Sequence, residues 1–212
     1  MQPKLILVLC EGDTEYHFLN SVNRFCRDNA RSELFTFVRE NLGGVNLNNF
    51  VQKINYALRK HEGHFHKLCI WLDFDIFKRA NPDKNDKDIA DMYTRILLEN
   101  IKLHRGIVLE DGEIAVCFNY MNGEDFILSC FTEDIFSAWY KFCLNNNHFI
   151  SPMVASVYKE EILKFVPIYN DTLALREYIG SATAVDNLLK NATQCPVFGF
   201  AEIIRYIVEN MR

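Results

Sequence analysis

Two short apolar runs in this chain end abruptly in carboxylates. Leu5 to Cys10 stops at Glu11-Gly12-Asp13-Thr14-Glu15, and Leu68 to Leu72 stops at Asp73-Phe74-Asp75. Runs this short and without polar alternation read as buried parallel strands. Open α/β sheets place their chemistry outside the carboxyl ends of their strands. The expectation is that Glu11, Asp73 and Asp75 meet at one edge of one sheet. In extended backbone, positions i and i+2 face the same side, so Asp73 and Asp75 would point together with Phe74 packed behind. Crowded carboxylates repel unless a cation holds them. An all-oxygen donor set suits Mg²⁺, with Mn²⁺ as a substitute. Gly12 lets the backbone come close to such a site. Asp13 and Glu15 fall in the first turn of a following helix. There they either favour the helix N-terminus or serve the metal and its water.

These strand ends need a scaffold, and the pattern along the chain supplies one. A strand over about 4–10 precedes a helix capped by Asp13 or Thr14, with Tyr16, Phe18, Leu19, Val22 and Phe25 at helical spacing. Leu34 to Val38 reads as a second strand. Gly43-Gly44 is a turn before a helix from Leu47 through Leu58. The third strand covers about 67–73, and a polar loop over 77–88 feeds a helix over about 89–104. Residues 114–120 read as the fourth strand. This alternation predicts an α/β fold with a parallel sheet of about four strands flanked by helices. After Gly123 the periodicity is helical over 124–145 and again at about 152–164, 171–180, 183–191 and 197–211. The division expected is an α/β core over 1–122 and a helical extension over 123–212, packed as one unit.

Composition narrows the function classes. The 212 residues are 49% hydrophobic and 24% charged, and 17 Phe supply volume for a large core. No segment approaches the roughly 18 uninterrupted apolar residues of a membrane span. The start, Met1 to Lys4, leads into only six apolar residues before Glu11, which reads as a strand and not a signal peptide. Seven scattered cysteines without a CxxC pair read as reduced thiols in a cytoplasmic protein. A net charge of −5 excludes a global basic field, so nucleic acid would have to be held by a local patch or through metal. Lys78, Arg79, Lys84 and Lys87, just beyond Asp75, are the candidate patch, weighed against a solvated loop balanced by Asp83, Asp86 and Asp88. His61, His64 and His66 form a local cluster with zinc-like spacing but no cysteine pair to complete it. No P-loop motif is present.

Strand, Glu11-Gly12-Asp13-Thr14-Glu15-Tyr16, helix, and a later strand ending Asp73-Phe74-Asp75 together resemble the Toprim domain over about residues 4–120. The first motif is similar to that of the small RloB-like and OLD-type Toprim proteins. Asn119 to Leu128 resembles a divergent form of their aromatic-helix motif, and Asn191 to Ile204 their closing segment. Two departures stand out. Ile76-Phe77-Lys78 is more apolar than the family pattern, and the aromatic helix lacks its proline. They leave the third metal ligand open, with Glu124 first, Asp125 second, and helix capping after Gly123 as the plain alternative.

The resemblance implies a Mg²⁺-dependent nuclease hydrolysing DNA or RNA, tRNA included. Its catalytic residues would be Glu11, Glu15, Asp73 and Asp75, and its metal ligands Glu11, Asp73, Asp75 and Glu124. It also implies an ATPase partner in anti-phage defence, with the helical extension as docking surface. Whether the chain self-associates is open. Two other readings stand beside it: a non-catalytic Toprim-like interaction module, and a phosphohydrolase of small substrates using Asp73 as nucleophile and Asp75 as acid.

Overall fold

The computed structural model describes residues 3–29, 34–119, 124–146, 155–191 and 202–211. Four strands, β1 (Lys4–Cys10), β2 (Phe35–Asn41), β3 (Gly63–Asp73) and β4 (Ile107–Asn119), form one parallel sheet in the order β2-β1-β3-β4. The central strands are the apolar ones, as burial on both faces requires. Residues 6–10 of β1 and 68–72 of β3 are buried throughout.

Among the described residues, ten helices surround the sheet: α1 (Asp13–Asp28), α2 (Phe50–Leu58), α3 (Asp75–Ala80), α4 (Asp86–Asn100), α5 (Glu124–Ser129), α6 (Glu133–Asn145), α7 (Ala155–Phe165), α8 (Thr172–Ile179), α9 (Ala182–Asn191) and α10 (Glu202–Met211). A 3-10 turn, Pro167–Asn170, lies between α7 and α8. Strand alternation sorts the core into two layers. Ile6, Val8, Cys10, Cys69 and Trp71 face α1 and the C-terminal helices. Leu7, Leu9, Leu68, Ile70 and Leu72 face α2, α3 and α4. The C-terminal helices thus complete one of the sheet's two cores and share it with α1.

The chain leaves β1 toward β2 on one side, then returns through α2 to place β3 on the other side of β1. The gap between the ends of β1 and β3 is therefore a topological switch point, the place where open α/β sheets admit ligands.

Several boundaries differ from the sequence reading. β3 begins at Gly63 and takes in His64 and His66 of the histidine cluster, while β4 begins at Ile107. The two strands slip register where only His66 lies between Phe65↔Leu109 and Lys67↔Glu113, and residues 110–112 bulge opposite it. Gly112, at φ 63°, accepts the left-handed turn that the bulge requires. The stretch read as a loop after Asp75 begins with α3, because Phe77 at 0% exposure packs against Phe50, Tyr93 and Phe118. The single helix expected over 124–145 is two, α5 and α6. α1 is preceded by Gly12 at its N-cap and has no side-chain cap, so neither Asp13 nor Thr14 plays that part. Residues 120, 152–154 and 197–201 of the expected elements lie outside the described residues, as does most of the closing motif.

Among the described residues, no helix is long and apolar enough to cross a membrane. The six described cysteines are all buried. Burial pushes the Cys130 thiol up to about 12, and it raises Cys10 as well, with the Glu15 charge adding to it. These thiols are held protonated and behave as small apolar groups.

A candidate acidic site at the switch point

Glu11 directly follows β1 and spans the switch point. One of its carboxylate oxygens, Oε2, accepts the Asp73 N–H at 3.0 Å, and Oε1 accepts the Val45 N–H at 3.3 Å. The main chain is tied as well: Glu11 N–H donates to the Trp71 carbonyl and its own carbonyl accepts from Gly44 N–H at 2.8 Å. The loop that meets it turns through Gly43 and Gly44 at φ 66° and 71°, a backbone that favours glycine twice in succession. Lys53 holds that loop by donating to the carbonyls of Leu42, Gly43 and Gly44. Burial raises the proton affinity of Glu11 above the ordinary carboxylate range. The N–H groups of Asp73 and Val45 oppose this shift, Asp75 adds to it and Lys53 opposes it.

Asp73 ends β3 on the same face as Trp71. Its Oδ1 accepts from the Asn119 side-chain amide at 2.9 Å. Asn119, only 4% exposed, accepts the Trp71 indole N–H on its own Oδ1 at 2.6 Å. Because an indole only donates, this bond orients the amide so that its NH₂ faces Asp73. A buried chain from Trp71 through Asn119 therefore sets the Asp73 carboxylate. Glu15 is buried at 7% exposure, and its Oε2 lies 3.2 Å from where a Cβ on Gly12 would stand, so a side chain there would crowd the carboxylate.

Glu11, Glu15 and Asp73 line one cavity of about 330 Å³, together with Thr14, Tyr169, Thr172 and Arg176. Its far wall is C-terminal. Asp171 caps α8 by accepting from the N–H groups of Leu173 and Ala174 at 3.1 and 3.0 Å, and this helix carries Thr172 and Arg176 to the acidic edge. Arg176 is held by Asp13, which also accepts from Asn41 at 2.5 Å. Replacing Asp171 by Ala removes the acceptor for two helix-end donors and is expected to cost about 1 kcal/mol, read from denaturant unfolding.

The expected alignment of Asp73 with Asp75 does not form. Phe74 adopts helical backbone (φ −79°, ψ −24°) and Asp75 opens α3, so the i, i+2 rule for extended chain no longer applies. Phe74 does pack behind, against Phe118. Asp75 is about half exposed, pairs with Arg79 at 2.9 Å and does not line the cavity, although its charge reaches Glu11. Glu124 and Asp125 open α5, but their side chains lie outside the described residues.

The basic patch is engaged with its own surroundings. Lys78 pairs with Asp86 at 3.0 Å and donates to the Lys84 carbonyl, and Arg79 pairs with Asp75. Lys84 lies 3.5 Å from Met92 Sδ, and Lys87 is exposed in the first turn of α4. The histidine cluster sits at the opposite end of β3. His61 contacts Glu40 at 3.4 Å, and His66 contacts Glu110 at 3.0 Å while accepting the Leu5 N–H. Among the described residues, no group of three His, Cys, Asp or Glu side chains is arranged to hold a metal ion.

Sequence reasoning did not single out Arg176, Thr172 or Lys53. Arg176 is 163 residues from its partner Asp13, and no spacing rule reaches that far. Asn119 was visible only as part of the fourth strand and the start of the segment resembling the aromatic-helix motif, with no role of its own. In comparisons with protein-family models, with curated proteins and with solved structures, the chain matches none.

Proposed function

We propose that this chain is a divalent-metal-dependent phosphodiesterase acting on DNA or RNA, tRNA included. The observation that carries the reading is the joining of Glu11 and Asp73 across the switch point, both lining one cavity with Glu15. Mg²⁺ is commonly held by one or two carboxylates, with water and substrate phosphate completing its shell. Glu11 and Asp73 fit that modest requirement, since each hydrogen-bonded carboxylate oxygen keeps a further lone pair. A three-carboxylate cage including Asp75 is not needed for it. When bound, the cation supplies Lewis acidity and a lowered pKa for water.

The chain's own residues supply the rest. Asn119 fixes the Asp73 carboxylate. Burial raises the proton affinity of Glu11, which suits it to accept a proton. Arg176, held by Asp13, places positive charge on the wall facing the carboxylates, where a phosphate would sit. Asp75 adds charge from outside the cavity. A nuclease of this type would serve as the effector of an anti-phage system alongside an ATPase partner, with the exposed surface of the C-terminal helices as the docking face. The small-molecule phosphohydrolase reading has less support, because Asp73 and Asp75 do not share the cavity.

The test is a cleavage assay with Mg²⁺ or Mn²⁺ on plasmid, single-stranded DNA and a tRNA pool. Wild type and Asp73→Asn are run side by side. Metal-dependent cutting lost in the variant supports the reading. Equal cutting by both proteins removes the assignment of the site, and biological activity retained by the variant in cells favours a non-catalytic module.

The buried carboxylate also sets a pH dependence in the metal-free protein. Glu11 has a folded-state pKa above its ordinary value of 4.5. The folded state therefore binds this proton more tightly than the unfolded state, and stability falls as pH rises from about 4.5 through the higher folded value. With chelator present, wild type is expected to lose stability relative to Glu11→Gln across that window, read from urea midpoints at pH 4 and pH 7. A difference between the two proteins that does not change with pH would remove the assignment.

A further inference from the structure

We infer that the cavity receives one unstacked nucleotide of a single-stranded or locally unpaired strand, and that the backbone of an intact duplex does not reach it. This rests on the phosphodiesterase reading and names its substrate class. The carboxylates form a floor, and the 3-10 turn and α8 stand opposite as a wall. At about 330 Å³, this half-open cleft is at the low end of the roughly 300–1,000 Å³ typical of small-ligand sites, room for one nucleotide unit and not for a paired rod.

The wall has the matching chemistry. Arg176 and the Thr172 hydroxyl can meet a phosphate and sugar. The half-buried Tyr169 packs on the C-terminal core and lines the cavity beside the apolar Ile127 and Leu175. Sites that act on single strands combine backbone charge with aromatic stacking, and enzymes with recessed chemistry draw the nucleotide out of the stack. The charge pattern agrees. Duplex binding draws on many phosphate contacts from a basic face, whereas the chain carries −5, and Lys78 and Arg79 beside the acidic edge are held by Asp86 and Asp75.

The experiment measures fluorescence anisotropy of the full chain, with Ca²⁺ replacing Mg²⁺, on three labelled oligonucleotides of one sequence: single strand, blunt duplex, and duplex with one unpaired bulge. Each is made as DNA and as RNA. The single strand and the bulged duplex are expected to bind at least about tenfold tighter than the blunt duplex. Tyr169→Ala is expected to erase at least about fivefold of that preference, and Tyr169→Phe to keep it. A blunt duplex bound as tightly as the single strand overturns the inference, and so does a preference unmoved in Tyr169→Ala. The two readings fail separately. Single-strand preference without metal-dependent cleavage leaves the substrate class and removes the hydrolysis. Cleavage of blunt duplex at the single-strand rate leaves the hydrolysis and removes the substrate class. No binding to any of the oligonucleotides removes both.

Discussion

Asp73→Asn is expected to lower Mg²⁺-dependent cleavage by roughly 10³-fold or more while leaving the fold in place. The substitution is nearly isosteric, and the Asp73 backbone N–H still donates to Glu11. What is lost is the negative charge at the end of β3 that would hold the cation, so the loss should exceed the roughly 10–100-fold typical of a partner one shell further out. Asn119→Ala provides that comparison. It leaves the Asp73 charge in place but removes the amide that orients it, and an effect within the smaller range is expected. Single-turnover cleavage with circular dichroism as the fold control orders the two variants. If Asn119→Ala proved the more damaging, the direct role of Asp73 would be lost.

Trp71→Ala is expected to be among the most destabilising single changes in the chain, at about 3–5 kcal/mol. Trp71 is 0% exposed and packs edge-on against Phe18 of α1, with ring centroids 6.4 Å apart. Its removal leaves a large void between the sheet and α1. It also orphans the Asn119 carbonyl oxygen, which is buried and accepts the indole N–H. For a chain of this size the thermal midpoint moves roughly 2–4 °C per kcal/mol, so the shift should be easily resolved by calorimetry. Trp71→Phe keeps most of the volume and loses the hydrogen bond. Its smaller stability loss, set beside its cleavage rate, separates packing from the orientation of Asp73. A loss below about 1 kcal/mol in Trp71→Ala would mean that this core closes around the void.

The acidic floor opposes folding, and the surroundings answer it locally. Glu11 is satisfied by two main-chain N–H groups, Asp73 by Asn119, and Asp13 by Asn41 and Arg176. Each partner comes from a different element, so the site depends on the sheet, the Gly43-Gly44 loop and α8 together. Sites that place like charges side by side carry this kind of cost when their function needs the charge.

The sequence by itself determined the sheet and its acidic edge. Leu5 to Cys10 and Leu68 to Leu72 lack polar alternation because both faces of a central parallel strand are buried, and each run stops where the chain leaves the sheet. Glu11 and Asp73 were therefore legible as strand-end residues at one edge of one sheet before any fold was known. The turn at Gly43-Gly44 was legible for the same local reason.

Tertiary structure alone decided how the edge is organised. Strand order placed β3 beside β1 and made their ends a switch point, which no local pattern encodes. Packing of Phe77 against Phe50, Tyr93 and Phe118 favours helix at Asp75 and turns it out of the cavity, overriding the two-residue alternation. Burial on the sheet joined Trp71, Asn119 and Asp73 across 48 residues. Docking of α8 brought Arg176 to Asp13. Periodicity reports which face of an element is buried. The partner it is buried against depends on contacts far apart in the chain, and those exist only once the layers have packed.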